Sequence, residues 1–163
     1  MNTPGDRPQL ERFKQTCREI VDIRSVFQLL SWDQETMMPS GGANSRARQV
    51  STIALALHNR VADPSFGCLI AALEEEGAAD AWRHAEVKEA RRLYDRAVRL
   101  PGALVQELAE TAALGYEAWI EARHRSDFKH FRPWLEKLTK LKREEARCLQ
   151  MNVPLYDALL DEY

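Results

Sequence analysis

Four histidines, His58, His84, His124 and His130, and 25 acidic residues are the groups in this 163-residue chain from which acid–base or metal chemistry could be built. A metal held on one helix needs two imidazoles one turn apart, with a carboxylate beside the first as general base. Four places beyond the histidines stand Ala62, Lys88, Phe128 and Trp134, so none of them makes the His-Glu-x-x-His pattern. Glu121-x-x-His124 has the spacing of half a carboxylate-bridged two-metal site. The nearest second half, Asp127-x-x-His130, lies across an expected helix break, and Arg123 and Arg125 would repel a cation. A solvated helix face is the simpler reading. No Gly-x-Ser-x-Gly elbow is present, which excludes an α/β-hydrolase nucleophile.

A second constellation is polar rather than catalytic. Trp32-Asp33-Gln34-Glu35-Thr36-Met37-Met38-Pro39 is followed by Gly41-Gly42-Ala43-Asn44-Ser45-Arg46-Ala47-Arg48-Gln49. This reads as one helix ending, a tight corner, and a second helix starting. Asp33 and Glu35 then face the negative end of their own helix dipole, which is unfavourable by about 0.3–1 kcal/mol when exposed. They call for cationic partners. An antiparallel hairpin about Pro39–Gly42 sets residues 32–35 opposite residues 46–49. The simplest arrangement is a partly buried Arg46 facing Asp33, with Gln34 and Gln49 nearby and Trp32 packed over them. The cluster Trp32, Asp33, Gln34, Arg46 and Gln49 either locks the corner or walls a cleft. Gly41-Gly42 could offer N–H groups to an anion, but no Lys-Ser/Thr follows, so this is no P-loop.

The elements that must position these groups are helical throughout. Apolar residues recur at three and four, while Gly and Pro are sparse and fall at breaks. Leu10, Phe13, Cys17, Ile20, Ile23, Phe27 and Leu30 stripe a helix from about Pro8 to Met37. Val50, Ile53 and Leu57 face inward on a second, which runs to about Val61 and stops before Asp63-Pro64. A short third helix carries Phe66, Leu69, Ile70 and Leu73 and closes at Gly77. Asp80 caps a fourth, with Val87, Ala90, Tyr94 and Ala97 inward. Pro101 opens a fifth, striped by Leu104, Leu108, Ala112, Gly115, Trp119 and Ala122. Asp127 caps a short turn, Pro133 starts a sixth helix with Trp134, Leu138 and Leu141 inward, and Pro154 opens a final turn with Tyr156, Leu159 and Leu160. The expectation is an all-α fold, an antiparallel helical bundle of about six helices, forming a single domain over residues 1–163.

Composition excludes several functions. The net charge is −2 with both signs interspersed, which gives no pull toward nucleic acid or anionic lipid. Apolar residues are 45% and charged residues 29%, too polar for membrane spans. Cys17, Cys68 and Cys148 have no paired spacing, as expected for free thiols in a reducing compartment. Cys17 and Cys148 lie near apolar stripes and read as structural thiols. Trp82, Trp119 and Trp134 read as core residues. Met1 to Arg7 is polar and does not resemble a secretory signal, so a cytoplasmic placement is expected. Glu136 and Lys140 have the spacing of an exposed helical ion pair.

The corner closely resembles the N-terminal signature of the thermostable (Taq-type) metallocarboxypeptidases. The resemblance continues, in order, along the chain. Ser51-Thr52-Ile53-Ala54, His58 and Asp63-Pro64 resemble the family's second helix. Leu100-Pro101 to Glu107, then Trp119 to Arg123, Asp127-Phe128 and Phe131, and Leu135-Glu136 through Glu144 and Ala146 resemble its later elements. Tyr156 to Tyr163 resembles a stretch the family places before its catalytic helix. The resemblance implies an all-helical, commonly homodimeric scaffold that removes single residues from peptide C-termini with one divalent metal, often zinc or cobalt. It also implies that the N-terminal helices wall a substrate groove while the metal ligands come from the later half. That ligand motif is absent here, so no catalytic residue and no cofactor is assigned to this chain.

Two expectations follow. The chain is the N-terminal portion of such an enzyme, as a fragment or split gene product completed by a C-terminal catalytic half. Alternatively, it is a free-standing, catalytically silent helical module for interaction or oligomerisation. Its partners are then that missing half or other copies of itself, with peptide bound only by the complete enzyme.

Overall fold

The computed structural model describes residues 6–39, 41–77, 80–149 and 154–160. The expectations for Met1–Gly5, Ser40 and residues 161–163 lie outside them. The described residues form seven α-helices and no strand: α1 Asp6–Thr36, α2 Ala43–Val61, α3 Pro64–Glu76, α4 Ala81–Ala97, α5 Gly102–Arg125, α6 Phe128–Leu149 and α7 Asp157–Leu160. No helix among them is long and apolar enough to cross a membrane. The chain divides into two compact units. One joins the chain up to Ser25 with Ala56–Arg99; the other joins Val26–Leu55 with the chain from Leu100 onward.

The first unit is closed by local signals. Asp63 accepts the Ser65 N–H at 2.8 Å and Pro64 is the first residue of α3, so an N-cap and a pre-set φ fix this start. Asp80 accepts the Arg83 N–H at 2.8 Å and caps α4. Phe13, Ile20, Phe66, Ile70, Leu73 and Val87 build the core, with the Phe13 and Phe66 rings stacked 5.8 Å apart. At Gly67 a Cβ would come within 2.5 Å of Tyr94 Cζ, so glycine here lets the tyrosine ring lie on the α3 backbone. Arg91 holds Glu74 through two hydrogen bonds, at 3.0 and 2.7 Å, tying α4 to α3. Trp82, read as core, is instead 76% exposed. It sits in the first turn of α4, before the buried stripe begins at Val87.

In the second unit α5 and α6 pack as a hairpin. The buried stripe of α5 is Leu104, Thr111, Gly115, Ala118 and Ala122, with Ala113 beside it. Ala112 and Trp119, expected inward, are exposed. Leu104, Gly115 and Ala122 lie on the expected stripe, and between them Thr111 and Ala118 face inward in place of Ala112 and Trp119. Gly115 lies against Trp134 Cβ and Leu138, 3.6 and 3.5 Å from where its own Cβ would stand. A Cβ there would sit in ordinary van der Waals contact; one turn on, Ala118 is buried while Trp119 is exposed.

α6 also differs from its expected start. It begins at Phe128, and Pro133 lies inside it. Ser126 adopts left-handed φ and ψ of 51° and 37°, and the Asp127 N–H reaches back to the Ala122 carbonyl at 2.8 Å. Asp127 then accepts the Lys129 N–H at 3.0 Å. The break therefore takes only two residues, Ser126 and Asp127. Pro133 is tolerated because Lys129, whose carbonyl loses its helical donor, is exposed to water.

Candidate functional site: the helix corner

The corner between α1 and α2 is made by backbone groups first. The N–H groups of Met37 and Met38 both donate to the Asp33 carbonyl, at 2.9 and 2.8 Å, and end α1. Those of Gly41 and Gly42 both donate to the Pro39 carbonyl, at 3.1 and 3.0 Å, so neither is offered to an anion. A Cβ at Gly42 would fall 2.8 Å from Met38 Cγ and 3.1 Å from the Pro39 oxygen, so a side chain here would require Met38 to shift.

Arg46, in the first turns of α2, reaches back across the corner. Its guanidinium donates from Nη2 to Asp33 Oδ2 at 2.5 Å, from Nη1 to the Leu30 carbonyl, and from Nε to Gln49 Oε1 at 3.1 Å. Its side chain is 12% exposed and that of Asp33 35%. The last turn of α1 carries no basic residue and the first turn of α2 no acidic one. Each charge is thus disfavoured by its own helix dipole and answered by the other. The pairing expected from the sequence is present, and Gln49 joins it.

Gln34 and Trp32 do not join it. Gln34 Nε2 donates to the Ala113 carbonyl at 2.9 Å and to Glu117 Oε1 at 3.0 Å, both on α5. Trp32, expected to cover the pair, is 56% exposed. It stands two residues from Leu30, roughly 200° round the helix from it, so it cannot lie over groups that face inward. Ala113 and Glu117 are members of the network that local patterning misses, because 79 and 83 residues separate them from Gln34. The two ions of the corner hold each other, and Arg46 also donates to the Leu30 carbonyl and to Gln49. The cluster is a strut joining α1, α2 and α5.

The other candidates are more exposed. His130 Nε2 lies 3.2 Å from Glu121 Oε2, with side chains 39% and 55% exposed. Asp127 is taken up by its cap, and Glu136 accepts from Arg132 at 2.7 Å rather than from Lys140. Among the described residues no three His, Cys, Asp or Glu side chains converge as metal ligands do. Cys17 and Cys148 are half-buried and Cys68 is exposed. Burial, with a smaller push from Glu86, raises the Cys17 thiol above its ordinary value. Burial likewise lowers His58 below its ordinary value.

The resemblance carried by the corner and by the segments after it is borne out by comparison with known proteins. The profile of the carboxypeptidase Taq (M32) metallopeptidase family matches residues 12–163, so this chain belongs to that family. Thermostable carboxypeptidase 1 of Thermus thermophilus is 36% identical over 160 residues, covering 90% of this chain and 31% of the relative. The crystal structure of BsuCP superposes with a TM-score of 0.91 at 25% identity, over 96% of this chain and 32% of that one. The Apo-Mg structure of Pyrococcus furiosus carboxypeptidase gives a TM-score of 0.73 at 27% identity, over 100% of this chain and 32% of that one. The chain thus spans about a third of the length of the relatives it matches. Membership implies a metal in full-length members. The residues described here do not converge into a site for one, and no catalytic step is built on them.

Proposed function

We propose that this chain supplies the N-terminal, groove-walling portion of a metal-dependent carboxypeptidase that removes single residues from peptide C-termini. Residues 1–163 serve as one all-helical part of that scaffold. The zinc or cobalt ion and its ligands come from the remaining portion, and the assembled enzyme is a homo-oligomer in the cytoplasm. The observation that carries this reading is the ordered match of nearly the whole chain to one third of solved M32 folds. Trp32, Asp33, Gln34, Arg46 and Gln49 set the wall: the Arg46 strut fixes the angle between α1 and α2, and Gln34 ties that corner to α5. The chain by itself turns over no peptide and holds no metal tightly. The test is hydrolysis of carboxybenzoyl-blocked dipeptides by pure chain with added zinc or cobalt, with metal content measured after dialysis. Turnover, or one tightly held metal per chain, would contradict this assignment.

A further inference from the structure

The unit that includes α3 and α4 carries a cleft of about 560 Å³, and every residue that lines it belongs to that unit. Phe13, Ile20, Val61 and Phe66, all buried, form its floor. Cys17 of α1 and Ala90 of α4 line it too, and these short side chains leave open the space that longer ones would fill. An apolar cleft of this size with a few polar groups at its edge has the build of a small-molecule site.

The charges at its mouth say which small molecule. They are Lys14, Arg18 and Asp22 on α1, and Glu86 and Glu89 on α4. Two of them are answered on their own helices: Lys14 by Glu11 at 3.6 Å, and Glu89 by Arg92 through hydrogen bonds of 2.9 and 2.8 Å. Among the described residues Arg18, Asp22 and Glu86 form no ion pair. Two carboxylates against one guanidinium leave a negative excess. Burial raises the Cys17 thiol and the Glu86 carboxylate raises it further, so this charge is felt at the floor of the cleft. We infer that the cleft binds a small apolar amine, with its hydrocarbon body on Phe13, Ile20 and Phe66 and its ammonium at the mouth beside Glu86 and Asp22. An apolar anion would meet two carboxylates, and a neutral chain would leave both unanswered. No lining residue belongs to the Asp33–Arg46 corner, so this site is separate from the strut and independent of the carboxypeptidase reading.

The test is labelling of the chain with N-ethylmaleimide in the presence of n-octylammonium, n-octanol or octanoate, read cysteine by cysteine by mass spectrometry. Cys17 lines the cleft; Cys68 is exposed, does not line it, and serves as the internal control. Octylammonium should protect Cys17 saturably and leave Cys68 unchanged. Octanoate should need about tenfold more for the same protection. Glu86→Gln with Asp22→Asn, both at exposed positions, should bring octylammonium to within about twofold of octanol. The inference would be overturned by no protection from octylammonium, by equal protection of Cys17 and Cys68, or by octanoate as effective as octylammonium. A double variant that octylammonium protects as well as the unaltered chain would overturn it too.

Discussion

At the scale of single residues, Arg46 concentrates more of the corner than any other side chain. Three acceptors on two helices converge on one guanidinium that is 12% exposed. Arg46→Ala strands the Asp33 carboxylate and should destabilise the chain by about 2–3 kcal/mol. That is less than for a fully buried pair, because Asp33 keeps a third of its exposure. Urea unfolding of Arg46→Ala, Asp33→Ala and the double variant reads both the cost and the coupling; a coupling near zero would show that the pair does not act as a unit. Gly67→Ala is a second residue-scale case. Its Cβ would meet the Tyr94 ring at 2.5 Å, so a loss of about 1–3 kcal/mol is expected from overpacking. Tyr94→Leu in the same chain should recover part of it, and a neutral Gly67→Ala would contradict the close packing. The Asp33–Arg46 pairing is legible in the sequence because charge against a helix dipole demands an answer and the Gly-Gly corner limits where it can lie. The outward turn of Trp32 is legible too, once angle about the helix rather than nearness in sequence is counted.

At the scale of elements, the cap at Asp80 and the break at Asp63-Pro64 were readable because each rests on a local signal, an N-cap carboxylate and a proline; that Asp63 also caps α3 is a finding of the structure. The start of α6 was not, because Ser126 takes a left-handed conformation usually signalled by glycine, and a proline in the second turn mimics a helix start. The phase of α5 was not readable either. Leu104, Gly115 and Ala122 fit with either Ala112 and Trp119 or Thr111 and Ala118 on the same face, and only the packed neighbours decide between them.

Acid sensitivity belongs to this scale, and the shifts that bear on it fall in the unit that includes α3 and α4. Hydrogen bonds from Gln15 and Arg60 lower the Glu19 carboxyl, bonds from Ser65 lower Asp63, and bonds from Arg91 and Arg92 lower Glu74 and Glu89. Burial lowers His58. A depressed folded-state pKa means that the folded chain binds fewer protons than the unfolded one. The stability these groups contribute is therefore present above their unfolded values and lost as pH falls through the folded ones. His58 begins the loss below its ordinary 6.5, and the carboxylates continue it below their ordinary 3.8 to 4.5. Amide hydrogen exchange from about pH 7 to about pH 3 should show residues 8–25 and 56–99 losing protection on acidification. Glu74→Gln should flatten part of that dependence. Protection in this unit that rises on acidification would contradict the sign.

At the scale of the whole molecule, the fold class and family were carried by an ordered series of weak motifs, and the chemistry was carried by a motif this chain does not contain. The described helices of this chain are braced at the α1–α2 corner, and the chain matches about a third of the length of its relatives. The most direct measurement is hydrolysis of carboxybenzoyl-blocked dipeptides, with cobalt or zinc supplied. It compares the chain alone, the unmatched part of Thermus thermophilus carboxypeptidase 1 alone, and the two co-produced. The expected result is turnover only by the co-produced pair. Turnover by the isolated chain, or equal turnover by the other part without it, would contradict the account.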